Sequence, residues 1–281
     1  MRAEPQLGQL WFAEEYGGRV DVFDLAGETW QPGLALDCDY CVPLARDAAG
    51  RLWAGGDLGV WIFDADGNAA AHLTTAQGLP ADEAYGVAFA PTGEVYLATF
   101  GGVAVYDGAA VTAVYDADSA GLNSDEARGV WVTADGALWV AAGYGLSRLD
   151  SSGEWTHFGA GDPFEYDVWV KDLAEDANGV VWVATDGDGV YRLADGAWTK
   201  YSPSDTGAGL PSTSVNCVTL APDGTLWFGL YYAGAAHFDG TTWVSVQVED
   251  GLVHSNVNDI YVDDQGRVWF ATSGGVSRYK P

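Results

Sequence analysis

The chain has 281 residues, 48% hydrophobic and 13% aromatic, with 38 glycines, and it carries 40 Asp and Glu against 12 Lys and Arg, a formal net charge of −28. This is the composition of a packed, glycine-punctuated β protein rather than a disordered one. The charge excludes nucleic acid and anionic lipid surfaces as partners, because both are bound through Lys and Arg. No apolar run of about 18 residues suits a membrane span, and the N-terminal MRAEPQLGQLW does not read as a secretory signal.

Read from the N-terminus, one phrase returns seven times: GQLWFAEEYGG, GRLWAGGDLG, GEVYLATFGG, GALWVAAGYG, GVVWVATDGDG, GTLWFGLYYAG and GRVWFATSGG. Its leading glycines are Gly8, Gly50, Gly93, Gly136, Gly179, Gly224 and Gly266, which lie 42, 43, 43, 43, 45 and 42 residues apart. A strand-rich period of about 40–50 residues is the signature of propeller blades. Before six of the glycines runs an apolar stretch closed by a turn, as in VPLARDAAG, VAFAPTG, VWVTADG and IYVDDQG, which gives a strand A and its hairpin. Strand B holds Trp11, Trp53, Tyr96, Trp139, Trp182, Trp227 and Trp269 at one register. Strand C follows as VDVFD, VWIFD, VAVYD, LSRLD, VYRLA, AAHFD and VSRYK, and strand D brings Trp30, Trp155, Trp198 and Trp243. These tryptophans are expected to fill the wedge between neighbouring sheets.

Seven copies of strands B and C require seven blades. The expected fold is therefore an all-β, seven-bladed β-propeller of four-stranded antiparallel blades, a single domain over residues 1–281. Residues 1–7 lack the alternation of an inner strand and nothing follows Tyr279 to make a strand D, so the first and last blades are read as three-stranded.

The connection and strand in GLPSTSVNCVTLAPDGTLWFGL and GLVHSNVNDIYVDDQGRVWFATSGGVSRY resemble the two-component regulator propeller repeat. That resemblance implies a periplasmic or extracellular binding or sensing platform, often for a carbohydrate. It also implies a monomer or one domain of a larger chain. The first repeat, LWFAEEYGGRVDVFDLAG, is similar to that of streptogramin (virginiamycin B) lyases, which implies a histidine base and a divalent metal. The other repeats depart from it, with Thr99, Ala142, Thr185 and Thr272 where the first has Glu14.

Function on such a scaffold is expected in loops that vary while the strands repeat. The B–C loops carry Glu14 and Tyr16, then Asp57, Phe100, Tyr144, Asp186 and the pair Tyr231 and Tyr232. Ten residues before the leading glycines stand Tyr40, Glu83, Glu126, Trp169, Ser214 and Asn256; eight before stand Val42, Tyr85, Arg128, Lys171, Asn216 and Asn258. Residues two apart on a strand point the same way, so these sets are expected to form rings at a channel mouth. Aromatic faces with carboxylates and amides suit a glycan or other polar small molecule, or a protein or peptide partner.

No cofactor is assigned. Asp186-Gly187-Asp188 and Asp263-Asp264 resemble fragments of calcium loops without the full ligand spacing, which leaves a divalent cation as the alternative. Of the four histidines only His254 falls on the loop face, and it is the base of the enzyme alternative, lyase-like or hydrolytic; His72, His157 and His237 fall on strands C and D. Cys38 and Cys41 form a lone C-x-x-C whose redox state stays open, and Cys217 stands apart.

Overall fold

The computed structural model describes residues 2–4, 8–13, 19–35, 41–64 and 68–280. They form seven antiparallel meander sheets, the blades of a seven-bladed β-propeller, with almost no helix. The chain divides into two compact units, Met1–His157 and Phe158–Pro281.

In the first unit the sheets run Arg2–Glu4, Gln9–Ala13, Arg19–Asp24, Thr29–Ala35; then Cys41–Arg46, Leu52–Gly56, Gly59–Phe63, Ala69–Leu73; then Ala84–Phe89, Val95–Thr99, Gly102–Tyr106, Val111–Tyr115. The fourth sheet is Ala127–Val132, Leu138–Ala142, Leu146–Leu149 and Trp155–Ala160, joined in parallel by the two-residue strand Pro163–Phe164. The second unit holds Trp169–Glu175, Val181–Asp186, Val190–Ala194, Ala197–Tyr201; then Val215–Leu220, Leu226–Leu230, Ala235–Phe238, Trp243–Val246; and last the three strands Val257–Val262, Val268–Thr272 and Gly275–Tyr279. In the first sheet strand A is only the three residues Arg2–Glu4, paired with Gln9–Trp11.

The repeated phrase dictates this geometry locally. All seven leading glycines have positive φ, from 63° at Gly8 to 105° at Gly93, a conformation that disfavours any Cβ. Two of the turns before them are built on an aspartate that does more than turn the chain. Asp263 accepts from the Gln265 and Arg267 amides at 3.0 and 2.9 Å, the Arg267 Nε at 2.6 Å and the Trp269 indole at 3.0 Å. Asp47 repeats the pattern with Ala49, Arg51 and Trp53. In the fourth blade Thr133 holds the corresponding place and accepts from the Trp139 indole at 3.3 Å.

Strand B is the buried centre of each blade. Leu52–Gly56, Leu138–Ala142 and Leu226–Leu230 are buried throughout, and Trp53, Trp139, Trp182 and Trp227 expose 0–2% of their surface. Truncating such a ring costs roughly 3–5 kcal/mol. On strand D, Trp155, Trp198 and Trp243 are half-buried and fill the wedge as expected, against Tyr115, Phe158 and Tyr201 of the preceding blades, whereas Trp30 departs from that role, 56% exposed and resting on Phe12 and Phe23. Strand D of the first blade, Thr29–Ala35, is the outer edge of its sheet.

The turn joining strands C and D in the sixth blade shows the same carboxylate economy. Asp239 accepts from the Thr241 and Thr242 amides and the Thr241 hydroxyl. Those bonds bring its carboxyl down to about 2, so a proton-titration series by NMR should find Asp239 still ionised at pH 3.

Candidate functional site

One irregularity recurs where strand A begins. The A–B register slips by one residue in the second to seventh blades, between Cys41 and Leu44, Ala98 and Thr99, Ala127 and Gly129, Val170 and Asp172, Val215 and Cys217, and Val257 and Asp259. The extra residue is Tyr85, Arg128, Lys171, Asn216 or Asn258 in the last five of these blades, the very set that stands eight before the leading glycines. A β-bulge breaks the strict alternation of a strand and re-aims the extra side chain. Residues on either side of the bulge are buried or half-buried, whereas Arg128, Lys171 and Asn258 are exposed and Tyr85 and Asn216 half-buried. The expectation that residues ten and eight before the glycine share one face through simple alternation is thus corrected: a bulge, absent from the sequence pattern, presents the second set.

In the first unit these bulges assemble a cluster. The Tyr85 and Phe100 rings lie 4.8 Å apart, and the Arg128 guanidinium stands 5.3 Å from the Phe100 ring and 5.9 Å from the Tyr85 ring. Arg128 is also paired with the Glu126 carboxylate. Burial raises the Tyr85 phenol above its usual value; the Arg128 charge opposes that rise, while the carboxylates of Glu83, Asp57 and Glu126 add to it. Phe100 remains 37% exposed. The half-buried Asp57 has its Oδ1 atom buried without a hydrogen-bond partner among the described residues. Tyr144 is 51% exposed, and its carbonyl accepts from the Asn123 side chain at 3.2 Å. Glu14, Tyr16, Tyr40 and Cys38 lie outside the described residues, as does the side chain of Cys41.

The second unit brings together a different set. Trp169 pairs with Asp186 across strands A and B, and Asp186 is bridged to Ser214. Asn216 donates to the Asn256 side-chain oxygen at 3.2 Å and to the Val257 carbonyl at 2.9 Å. Asn256 in turn donates to Asn258 at 3.0 Å and to Ser273 at 2.7 Å. Ser273 is absent from the expected site, yet register finds it: it stands four residues after Trp269, as Asp57, Phe100, Asp186 and Tyr231 stand four after their own aromatic. Tyr231 and Tyr232 are 55% and 59% exposed, and the His254 ring lies 5.8 Å from Tyr232. The His254 Nδ1 atom accepts the Asn256 amide at 2.9 Å.

Several residues that chemistry could have claimed belong to the scaffold. Asp188 is fully buried and accepts from the Glu165 amide at 3.0 Å and the Tyr191 hydroxyl at 2.6 Å, and pairs with Lys200. Asp263 is held by Trp269 and Arg267, so neither calcium-like fragment offers two uncommitted carboxylates. Among the described residues no group of three His, Cys, Asp or Glu is placed to hold a metal ion. Thr99, Thr185 and Thr272, at the position of Glu14, each close their own B–C loop by donating to the carbonyl of Gly102, Gly189 or Gly275. His72 stacks on Trp61 at 3.7 Å, His157 bonds Ser147 and His237 packs on Trp227. Cys217 is buried, and that burial pushes its thiol well up. Among the described residues no helix is long and apolar enough to cross a membrane.

Residues 165–187, 209–232 and 251–274 match the two-component regulator propeller family. No curated protein sequence matches the chain. Among solved structures, the chain is similar to the extracellular domains of two hybrid two-component systems from B. thetaiotaomicron, with TM-scores of 0.85 and 0.79 at 17% and 18% identity. Each comparison covers 99% of this chain, which spans only 38% of the length of each of those domains. It is also similar to virginiamycin B lyase from Staphylococcus aureus, solved with quinupristin, at a TM-score of 0.75 and 13% identity over 96% of this chain and 90% of that one. The chain is therefore a seven-bladed β-propeller that carries two-component regulator propeller repeats.

Proposed function

We propose that the chain is a recognition module of the sensing kind, acting outside the cell, whose strand A bulges and B–C loops bind a polar ligand of the carbohydrate class. One observation carries this reading: the buried Oδ1 of Asp57, without a hydrogen-bond partner among the described residues, in the acidic surroundings of Tyr85, Phe100 and Arg128. An unmatched buried acceptor costs about 1–3 kcal/mol, and a water, an ion or a ligand that completes it recovers that cost. A turn of the half-buried carboxylate brings that oxygen within reach of a ligand hydroxyl, the missing donor. The paired Arg128 and Glu126 offer further donors and acceptors, and the exposed part of the Phe100 ring offers an apolar contact for a sugar. The fold likeness to sensor ectodomains supports the same reading and the extracellular setting.

The test is a glycan array followed by titration calorimetry on the bound glycan. Asp57→Ala should weaken binding about tenfold or more, since a lost charge-assisted hydrogen bond is worth about 1.5–3 kcal/mol. Its melting temperature should hold or rise, because the substitution removes an uncompensated buried oxygen. Phe100→Ala should lose binding without loss of stability. A wild-type protein that binds no glycan, or a bound glycan indifferent to both substitutions, overturns the proposal.

A further inference from the structure

The aromatic rings of this chain are attended by its own scarce cations. Arg128 stands over Phe100 and Tyr85, Arg46 over Trp11, Arg148 over Trp139, and Lys200 over the half-exposed Tyr166 at 5.9 Å. The B–C loop of the sixth blade differs from these. Among the described residues no Lys or Arg stands over Tyr231 or Tyr232, although these are the most exposed of the described tyrosines at 55% and 59%.

These two rings are held in a defined corner. Their centroids are 4.6 Å apart at 82°, and His254 adds a third ring, 5.8 Å from Tyr232 at 60°. The Asn256 amide donating to His254 Nδ1 fixes the imidazole. Tyr232 has φ 51°, a left-handed conformation that is an outlier for so bulky a residue. Backbone bonds pin that conformation, from the Leu230 amide to Gly234, the Gly234 amide to Ser255 and the Tyr231 amide to Ser214. Strain of this sort concentrates where a loop is shaped for binding. The bridge from Ser214 to Asp186 sets an exposed carboxylate on the adjoining loop.

Steeply inclined ring faces, an adjoining carboxylate and a net charge of −28 together favour a positively charged guest. A ring face attracts a cation through its quadrupole, and a weakly hydrated alkylammonium gives up least water to reach it. We infer that the Tyr231, Tyr232 and His254 corner binds a small quaternary ammonium compound. This site is separate in residues and chemistry from the Asp57 and Phe100 cluster, so it stands or falls without the carbohydrate reading.

The experiment is a titration of the whole chain with choline and with its neutral isostere 3,3-dimethylbutanol, followed by calorimetry and by the tyrosine ring resonances. Choline should bind about tenfold more tightly than the isostere, the ratio that about 1.4 kcal/mol of cation attraction produces. Tyr232→Gly should abolish binding while leaving the melting temperature unchanged or higher, because glycine adopts φ 51° without strain. Tyr232→Phe keeps the ring and should stay within about threefold of wild type. Equal affinity for the isostere, full affinity in Tyr232→Gly, or displacement of choline by a neutral disaccharide that itself shifts the Tyr232 ring would each overturn the inference.

Discussion

Asp263→Ala is expected to lower the melting temperature by roughly 6–10 °C, from a loss of about 3 kcal/mol spread over a chain of this size. The carboxylate is 1% exposed and serves four donors at once: two turn amides, the Arg267 guanidinium and the Trp269 indole. Its removal takes an acceptor from the indole of a buried tryptophan and from a guanidinium only 15% exposed. Burial alone would raise the Asp263 carboxyl, but the Trp269 and Arg267 bonds outweigh it and hold it below the ordinary carboxylate range. A lowered carboxyl contributes stability that is fully present above its unfolded value near 4 and is lost as pH falls through the folded value. The wild-type protein should therefore lose stability below about pH 4 more steeply than Asp263→Ala. Melting curves from pH 7 to pH 2 check this, and parallel curves would show that the carboxylate is unimportant to the hairpin.

Asp188→Ala should be as damaging, at about 3–5 kcal/mol, because it breaks a buried pair from one side only. It strands the Lys200 ammonium, 23% exposed, with only the Glu165 carboxylate at 3.0 Å. It also frees the Tyr191 hydroxyl, whose ionisation is pushed up by burial and by its bond to Asp188. Lys200→Met should cost a similar amount, since it leaves a fully buried carboxylate behind. The double substitution should cost clearly less than the two single changes added, which denaturant melts of all four proteins would measure. Burial works against both charges, yet their mutual bonds lower the Asp188 carboxyl and raise the Lys200 ammonium. The Asp188 contribution is lost as pH falls below about 4, and the Lys200 contribution as pH rises above about 10.5, so the cluster supports the fold across the range between. Additive single costs of under about 1 kcal/mol each would make it an ordinary solvated pair.

Most of the fold was legible in the chain, since its local rules recur in every blade. Positive φ at Gly50 or Gly224 and a buried ring at Trp53 or Trp227 follow from residue type and spacing alone. Strand D was less legible. Trp30 has the same side chain as Trp53, yet on its outer strand it is 56% exposed where Trp53 is buried. At the start of strand A the variable residues were legible in identity, and their geometry was not. Tyr85, Arg128, Lys171, Asn216 and Asn258 were visible as a non-repeating set at a repeating position.

By itself the amino-acid order determined the number of blades, the strands and their turns, because periodicity, glycine conformation and alternation are properties of neighbouring residues. Tertiary pairing alone decided three further things. A bulge at the start of strand A turns the variable residue away from the core, and it exists only in the register between two strands. Asp188 and Asp263 spend their charge on Lys200 and Arg267, which ties them into the scaffold. Phe100 is capped by Arg128 while Tyr231 and Tyr232 are left bare, since a cation's reach depends on which loops the fold sets side by side. The repeat thus speaks for the scaffold, and the contacts that fold brings about separate binding groups from structural ones.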